Sequence, residues 1–477
     1  MMIQPMCLAL TMAAAPAFAT GGDSPWNGFR GPNGSGVSDA AGVPTSFGPE
    51  ENLAWRTEIP EGYSSPVIAG DRIFLTAAEG STILTMCLDR TSGEVLWRQE
   101  APKQAQRDPR IPNSPVSPTP ATDGENVFVF FEACGLLSYD AEGNQRWYVE
   151  LGPFNSPYGM GASPIVVDDT LLLLADQDTD SFLLALDKDT GEQKWKTKRS
   201  GFTHGYATPV IYTPREGPKE VIVSGSYRIN GYSLETGEEL WYAGGMAWQA
   251  KSTPVIHDDI LFVHSWMANP TELGVKQITT PWTDAVKEYD ADNNTLLSKE
   301  EIADLGLARV WFLYDLNNDD AISEEEWGFL LARAEAENGL YAIRLGGRGD
   351  VTRTHVEWTY NRALGNIPSP LFYDGLLYIL KEGGVLTALN PQTGESLKAG
   401  RIEGAEDQYF ASPIAAAGRI FTASQPGNIA VIKPGAEWEV ERLCTLDEVI
   451  WATPAIADRQ IIIRTQNALY CFQNDEA

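Results

Sequence analysis

The chain has 477 residues, a formal net charge of −30 and 43% hydrophobic residues. This length exceeds one ordinary globular core and indicates either several domains or a repeat architecture. The strong negative charge excludes broad contact with nucleic-acid phosphates. Many aromatic residues, together with 44 Gly and 30 Pro, favour an all-β fold over a helical one.

Residues 1–19 are predicted to be a secretory signal peptide. The apolar stretch MCLALTMAAAPAFA ends in Ala17, Phe18 and Ala19, which match a small-residue cleavage site, although no Lys or Arg precedes the stretch. After residue 20, no apolar run approaches the roughly 20 residues that a spanning helix needs. We therefore expect a periplasmic or secreted protein in which residues 20–49 form a lead-in.

A Ser/Thr-Pro dipeptide followed by an apolar strand recurs eight times along the chain. Successive prolines lie 54, 44, 45, 45, 116, 43 and 41 residues apart. All but one of these spacings lie near the roughly 40–50 residues of a four-stranded propeller blade. The eight prolines are Pro66, Pro120, Pro164, Pro209, Pro254, Pro370, Pro413 and Pro454.

Most copies continue with a strand, an acidic turn and a tryptophan, as in ALDKDTGEQKW (185–195). The turn glycine supplies the positive φ that a tight hairpin needs. A large ring at one fixed place in each unit is predicted to fill the wedge between adjacent blades. These rings are Trp97, Trp147, Trp195 and Trp241, and Lys398 stands at the corresponding place in a later copy.

The two ends of the repeat complement each other. The last copy stops after its third strand, and the segment LAWRTEI, with Trp55, precedes the first Ser/Thr-Pro. An N-terminal strand that completes the last blade would remove an exposed sheet edge. The predicted fold is therefore an all-β, eight-bladed propeller of four-stranded antiparallel blades, formed by residues 50–267 and 339–475.

The repeat LxALDxxTGExxW resembles that of the pyrroloquinoline-quinone-like propeller family, over roughly residues 50–475. This family includes quinoprotein dehydrogenases and the BamB-type outer-membrane assembly factor. The lead-in FRGPNGSGVS is also similar to that of bacterial exported members. The resemblance implies the propeller fold, but it does not choose between an enzyme and a non-enzymatic scaffold.

The 116-residue spacing predicts an insertion of about 70 residues in blade five, after one ordinary blade period is removed. Within residues 268–338, two twelve-residue segments place oxygen-bearing groups at the ligand positions of calcium loops. The insertion is therefore predicted to be a small all-α EF-hand pair. Its predicted calcium ligands are Asp290, Asp292, Asn294, Leu296, Ser298 and Glu301 in the first loop, and Asp315, Asn317, Asp319, Ala321, Ser323 and Glu326 in the second.

The sixth loop position departs from the EF-hand pattern, which has Gly there. Thr295 and Asp320 occupy it, and Asp tolerates a left-handed backbone better than a β-branched Thr does. We therefore expect the second loop to bind calcium more tightly than the first. The alternative is an acidic helical pair without metal.

Residues just before each Ser/Thr-Pro are expected at the mouth of the central channel, on the same face as the insertion. Aromatic rings and polar groups around a concave mouth indicate a possible ligand site, although they could equally plug the channel. The predicted mouth residues are Tyr63, Asn113, Tyr158, His204, Tyr206, Trp248, Lys251, Asn366, Asp407, Tyr409 and Trp451.

The sequence offers no catalytic residues that we would assign. The serine-hydrolase elbow, the zinc-protease helix motif and the P-loop are all absent. A quinoprotein dehydrogenase would need a base and a cation at the quinone, for which Glu406, Asp407 and Arg362 are candidates. We favour a non-catalytic binding or scaffold protein with a protein or glycan partner. A pyrroloquinoline-quinone-dependent oxidoreductase is the alternative.

Overall fold

The computed structural model describes residues 26–105, 113–267 and 275–474. The predicted signal peptide lies outside these described residues. Eight antiparallel sheets form a closed eight-bladed propeller, so the predicted fold class is confirmed. Each blade runs from an inner strand A to an outer strand D. The strands of blades 1 to 4 are β2 (Val67–Ala69), β3 (Arg72–Glu79), β4 (Thr82–Asp89), β5 (Val95–Glu100), β6 (Ala121–Thr122), β7 (Asn126–Phe131), β8 (Gly135–Asp140), β9 (Gln145–Glu150), β10 (Ile165–Val167), β11 (Thr170–Ala175), β12 (Phe182–Asp187), β13 (Gln193–Lys198), β14 (Val210–Tyr212), β15 (Glu220–Gly225), β16 (Arg228–Ser233) and β17 (Glu239–Gly244).

The remaining blades follow the same order, except that blade 5 contains the insertion between its strands B and C. Blade 8 takes its strand D from the N-terminal side of the chain. The strands of blades 5 to 8 are β18 (Val255–His257), β19 (Ile260–Ser265), β22 (Gly339–Arg344), β24 (Val356–Tyr360), β25 (Leu371–Tyr373), β26 (Leu376–Lys381), β27 (Val385–Leu389), β28 (Ser396–Arg401), β29 (Ile414–Ala416), β30 (Arg419–Ala423), β31 (Asn428–Lys433), β32 (Glu439–Thr445), β33 (Ala455–Ala457), β34 (Gln460–Arg464), β35 (Ala468–Gln473) and β1 (Leu53–Glu58).

The ring closes through β1 and β35, as predicted. These strands pair antiparallel, with Arg56 opposite Tyr470 and Thr57 opposite Leu469. Trp55 is 8% exposed, and its Nε1 donates a 2.8 Å hydrogen bond to the Arg90 carbonyl in the next blade. The closing strand therefore completes the last blade through its backbone and joins that blade to the first one through the Trp55 side chain.

The other strand D tryptophans make the same contact, and this explains why Gly is needed in the facing turn. The indole of Trp97 donates to the Ala141 carbonyl at 2.9 Å, and a Cβ on Gly143, which has φ +87°, would lie 2.8 Å from the ring. Trp147, Trp195 and Trp358 repeat the arrangement. At the place where Trp is missing, Lys398 donates instead to the Trp438 carbonyl at 2.6 Å.

Trp241 departs from this pattern because the turn of blade 5 is different. That turn forms an extra two-residue strand, β23 (Gly349–Asp350), which pairs parallel with β17 beside Trp241. The Trp241 indole donates to Glu220 at 2.7 Å, and Arg348 lies 2.9 Å from the other oxygen of the same carboxylate.

The Ser/Thr of the Ser/Thr-Pro repeat forms two runs of hydrogen bonds around the propeller axis, which we call the hydroxyl ring. In blades 1 to 4 and 5 to 8, the hydroxyl of one blade accepts the backbone N–H of the corresponding residue in the preceding blade at 3.0–3.2 Å. The hydroxyl therefore links neighbouring inner strands, which explains why this position is Ser or Thr.

Residues 26–38 cross the axis beside the inner strands. Trp26 and Asn27 accept N–H bonds from Ile68 and Thr122, and the Asn33 side chain bonds both the N–H and the C=O of Ile211. These partners lie two residues beyond the Ser/Thr-Pro prolines. The lead-in therefore closes the channel on the side of the hydroxyl ring that faces away from the D–A loops.

The insertion leaves blade 5 after β19 and returns at β22. Its described elements are α1 (Trp282–Tyr289), β20 (Leu297–Ser298), three single 3₁₀ turns within residues 303–313, β21 (Ala321–Ile322) and α2 (Glu324–Glu335). The sequence predicted a helix on each side of each loop, but the two inner segments form 3₁₀ turns. Gly306, with φ +77°, separates the first two of these turns and interrupts any continuous α-helix.

His264 in β19 is predicted to make the stability of the fold depend on pH. It is 2% exposed, and burial lowers its pKa to about 4. The unfolded chain takes up this proton near pH 6.5, so His264 destabilises the fold as the pH falls from about 6.5 to about 4. We expect His264 to lower the free energy of unfolding by about 2 kcal/mol when the pH falls from 7.5 to 5. Urea unfolding should show that His264→Leu removes this part of the acid sensitivity, and an unchanged difference between the two pH values would contradict the assignment.

Candidate functional site: the channel mouth and the insertion

The channel mouth is the face that carries the D–A loops and the B–C connections, and the insertion packs on one side of it. The Asn155 side-chain amide donates to the Leu316 carbonyl of the insertion at 2.8 Å. Tyr314 stacks on Trp248 with ring centroids 5.5 Å apart, and Trp248 is 4% exposed. The segment between the two loops therefore covers the mouth at blades 3 to 5.

His204 lies buried beneath this cover. Its Nδ1 contacts the Asp178 carboxylate, and its Nε2 lies 3.1 Å from the Gln249 amide nitrogen. Since a carboxylate accepts and an amide nitrogen donates, the neighbours fit an imidazole protonated at Nδ1. The rings of Tyr158 and Trp248 pack against it at 5.9 and 5.1 Å.

Two further predicted residues border this histidine cluster. The Asn113 amide lies 3.5 Å from the Gly159 carbonyl. Tyr206 packs 6.2 Å from the His204 ring, and burial raises its pKa well above the ordinary value. The structure thus gathers Asn113, Tyr158, His204, Tyr206 and Trp248 on one side of the mouth.

Lys251 and Asn366 form a second group, between blades 5 and 6. The Lys251 ammonium donates to the Asn366 side-chain oxygen at 2.7 Å and lies 5.9 Å from the centroid of the Trp266 ring. Burial lowers the pKa of Lys251 to about 8, although the negative charge of Glu382 acts to raise it. Glu382 in turn accepts the Asn366 backbone N–H at 3.0 Å.

A third group lies across the mouth from the insertion. Tyr63 stacks on Trp451 with ring centroids 4.7 Å apart and an interplanar angle of 25°. The Phe410 ring lies 4.6 Å from the same Trp451 ring. All three rings are partly exposed. We call Tyr63, Phe410 and Trp451 the aromatic ledge.

The two remaining predicted mouth residues, Asp407 and Tyr409, have structural partners. Asp407 accepts hydrogen bonds from Ser424 at 2.8 Å and from Asn428 at 2.9 Å. Tyr409 is 1% exposed, and its hydroxyl donates to the Ala405 carbonyl at 2.7 Å. The Tyr409 ring packs in the core between blades 6 and 7, away from the open mouth.

The first acidic loop of the insertion brings carboxylates together. Carboxylate oxygens of Asp290, Asp292 and Glu301 lie within 4.8 Å of one another. Thr295 has φ +65°, and its N–H donates to Asp290 at 3.0 Å. Thr295 therefore adopts the left-handed conformation that the sixth position of a calcium loop requires.

The second loop repeats this backbone in a more buried setting. Asp320 has φ +64°, and its N–H donates to Asp315 at 3.0 Å. Glu326 accepts the Leu316 N–H and completes a capping box with Ser323 at the start of α2. Asp315 and Glu326 are 4% and 3% exposed. The strands β20 and β21 pair between the two loops through Leu297 and Ile322. Among the described residues, three carboxylates converge within 4.8 Å only in the first loop. The second loop shares the backbone turn and the oxygen-bearing side chains, and Leu296 and Ala321 occupy the seventh positions.

The residues considered for a quinone do not form an enclosed slot. Glu406 and Arg362 are exposed and belong to loops of different blades, and Asp407 is already held by two side-chain donors. A flat, multiply charged cofactor needs a largely enclosed pocket with convergent polar groups. These three residues therefore do not fit that group.

Sequence reasoning did not identify several residues that build the mouth. Asp178 and Gln249 hold His204, and Phe312 and Tyr314 bring the insertion to the rim. Asp178 and Phe312 come from B–C connections, whereas the prediction considered only positions before Ser/Thr-Pro. Phe410 lies next to a predicted residue, and its aromatic character in a D–A loop was an available signal.

Comparison with known proteins supports the architecture. A family model described as "Outer membrane protein assembly factor BamB" matches residues 49–156 and 86–291, which together cover just over half of the chain. No curated protein sequence matches the chain. Among the described residues, no helix combines the length and apolar character that a membrane crossing requires.

Three solved structures illustrate the structural likeness. BamB from Moraxella catarrhalis aligns with a TM-score of 0.55 and 12% identity, covering 89% of this chain and 98% of that chain. A europium-containing methanol dehydrogenase aligns with a TM-score of 0.56 and 9% identity, covering 93% and 96%. Saccharomyces cerevisiae Sqt1 aligns with a TM-score of 0.53 and 9% identity, covering 91% and 100%. At these identities the likeness concerns the fold alone. On the strength of the sequence match and the eight-bladed ring, the chain belongs to the BamB-type family of pyrroloquinoline-quinone-like propellers.

Proposed function

We propose that this protein is an exported, non-catalytic propeller that binds a partner protein at its channel mouth and holds calcium in its insertion. The proposal rests on which parts of the channel are covered and which remain open. One side is covered by the insertion, the far end of the channel is crossed by residues 26–38, and an accessible aromatic ledge remains at blades 7, 8 and 1. Partly exposed aromatic residues are typical of protein interfaces.

The polar groups of the mouth support a binding role over a catalytic one. His204 is enclosed by Asp178 and Gln249, Lys251 bonds Asn366, and Asp407 is held by Ser424 and Asn428. A base or acid for catalysis must reach the proton that it transfers. The family description, which names an outer-membrane assembly factor, supports export and a protein partner rather than a glycan.

Reconstitution with pyrroloquinoline quinone tests the non-catalytic part of this proposal. The purified mature protein would be incubated with the quinone and calcium, desalted, and assayed for retained absorbance and for alcohol-dependent dye reduction. We expect neither signal. A retained chromophore with dye reduction that is lost in Asp407→Ala would overturn the proposal in favour of the oxidoreductase.

Calcium is proposed to bind both loops, more tightly at the second. The left-handed conformation costs a β-branched residue such as Thr295 about 1–3 kcal/mol, whereas Asp tolerates it better. In addition, residues 268–338 carry 16 acidic and 5 basic residues, and bound cations would relieve this repulsion.

Calorimetric titration with calcium should therefore show different losses of calcium affinity in two matched variants. Glu326→Gln is expected to weaken the tighter binding event by at least about tenfold, while Glu301→Gln affects mainly the weaker event. Both substitutions remove one charge from the twelfth loop position, so each controls for the other. Equal losses in the two variants, or a larger loss in Glu301→Gln, would contradict the order of the loops.

A further inference from the structure

The aromatic ledge is more accessible than Trp248 and Tyr409, two buried aromatic rings of the mouth. Trp248 and Tyr409 are 4% and 1% exposed, whereas Tyr63, Phe410 and Trp451 each remain partly exposed. The three ledge rings come from the D–A loops of blades 1, 7 and 8 and lie in contact through Trp451. The insertion packs against blades 3 to 5, so it leaves this part of the mouth uncovered.

The D–A loops that carry the ledge contain only negatively charged residues among their charged side chains. These three loops, residues 59–66, 402–413 and 446–454, contain six acidic residues and no Lys or Arg. By contrast, the D–A loops of blades 5 and 6 carry Lys251 and Arg362. The six acidic residues are Glu61, Glu403, Glu406, Asp407, Asp447 and Glu448.

Three of these carboxylates are placed to meet a partner. Glu403, Glu406 and Asp447 are exposed. Asp407 and Glu448 are instead held within the propeller, the first by Ser424 and the second by Arg56, Thr465 and Tyr470. The ledge thus presents flat rings within a rim of solvated negative charge.

We propose that the aromatic ledge is the docking site for a basic peptide segment of the partner protein. Arg and Lys side chains interact favourably with aromatic rings, and the acidic rim provides electrostatic complementarity for the same side chains. A nucleic acid would meet charge of its own sign, and a neutral glycan would gain no charge–charge attraction from the rim. This inference rests on the proposed function and adds the chemistry of the partner.

The experiment uses the full mature protein with calcium and two twelve-residue probe peptides. One peptide contains Arg, Gly and Tyr in alternation, and the other has Glu in place of Arg. Calorimetry should detect binding of the basic peptide alone, with an affinity that falls several-fold when the salt concentration rises from 50 to 300 mM. A neutral oligosaccharide serves as the third probe.

Two variants locate the binding. Trp451→Ala is expected to weaken the basic peptide about tenfold. The double variant Glu406→Gln/Asp447→Asn alters only exposed side chains, so it keeps the test valid if Trp451→Ala fails to fold, and it should weaken binding about three- to tenfold. Glu142→Gln, in a C–D turn on the opposite face, should bind like the wild type.

The proposal is overturned if the basic peptide does not bind, if both peptides bind equally, or if the exposed double variant binds like the wild type. Binding of the oligosaccharide that depends on Trp451 but not on salt would likewise overturn it in favour of a glycan site. Each of these results leaves the non-catalytic proposal intact, because that proposal fails only on quinone retention and dye reduction.

Discussion

Replacement of Arg199 by Met should destabilise the propeller by about 3–5 kcal/mol, because it leaves a buried carboxylate without its charge partner. The side chains of Arg199 and Asp176 are both 0% exposed, and their two hydrogen bonds measure 2.6 and 2.9 Å. The guanidinium also packs 3.7 Å above the Phe202 ring. Burial raises the pKa of Asp176, although the positive charge of Arg199 acts to lower it.

Chemical unfolding of three variants would measure this effect. Arg199→Met alone is expected to lose most stability, whereas Asp176→Leu combined with Arg199→Met should recover a large part of it, because both buried charges are then removed. If the double variant were as unstable as the single one, packing by the arginine side chain would account for the loss and the charge explanation would be wrong.

Trp55→Ala is the second substitution with a large expected effect, a loss of about 3–5 kcal/mol. Trp55 covers Gly93 of blade 1, where a Cβ would lie 2.5 Å from the ring, and it donates to the Arg90 carbonyl. Its removal opens a cavity between the closing strand β1 of blade 8 and the C–D turn of blade 1. Loss of the closing contact should therefore lower the unfolding midpoint strongly.

Lys398→Ala is the matched control, because Lys398 holds the same position in blade 6. It is only partly buried and makes one hydrogen bond to the Trp438 carbonyl, so its loss should cost about 1 kcal/mol. Urea unfolding of both variants provides the comparison. A loss at Trp55 no larger than that at Lys398 would show that the tryptophan contact does not stabilise the closed ring.

The blades were predictable because their signals are local and repeated. Each Ser/Thr-Pro marks an inner strand, and the structure supplies the reason, since its hydroxyl accepts the backbone N–H of the corresponding residue in the preceding blade. Trp358 was missed because the preceding turn lacks Thr-Gly-Glu and forms β23 instead. The inner segments of the insertion were expected to be helical, but Gly306 at φ +77° lies between their turns.

The site was less predictable because it is built from residues distant in sequence. His204 could be placed at the mouth from its position before a Ser/Thr-Pro, yet its partners Asp178 and Gln249 come from two other connections. Likewise, the crossing of the axis by residues 26–38 depends on hydrogen bonds to blades 1, 2, 4, 6 and 7. Such contacts leave no periodic pattern in the sequence.

Hydrogen–deuterium exchange with and without calcium tests the central claim most directly, namely that the insertion is a cation-binding cover docked on the mouth of a closed ring. Chelation of calcium should increase exchange within residues 290–326 and also in the mouth segments 155–158 and 246–249, which contact Leu316 and Tyr314. Exchange that does not respond to calcium, or a response confined to the insertion, would contradict the claim.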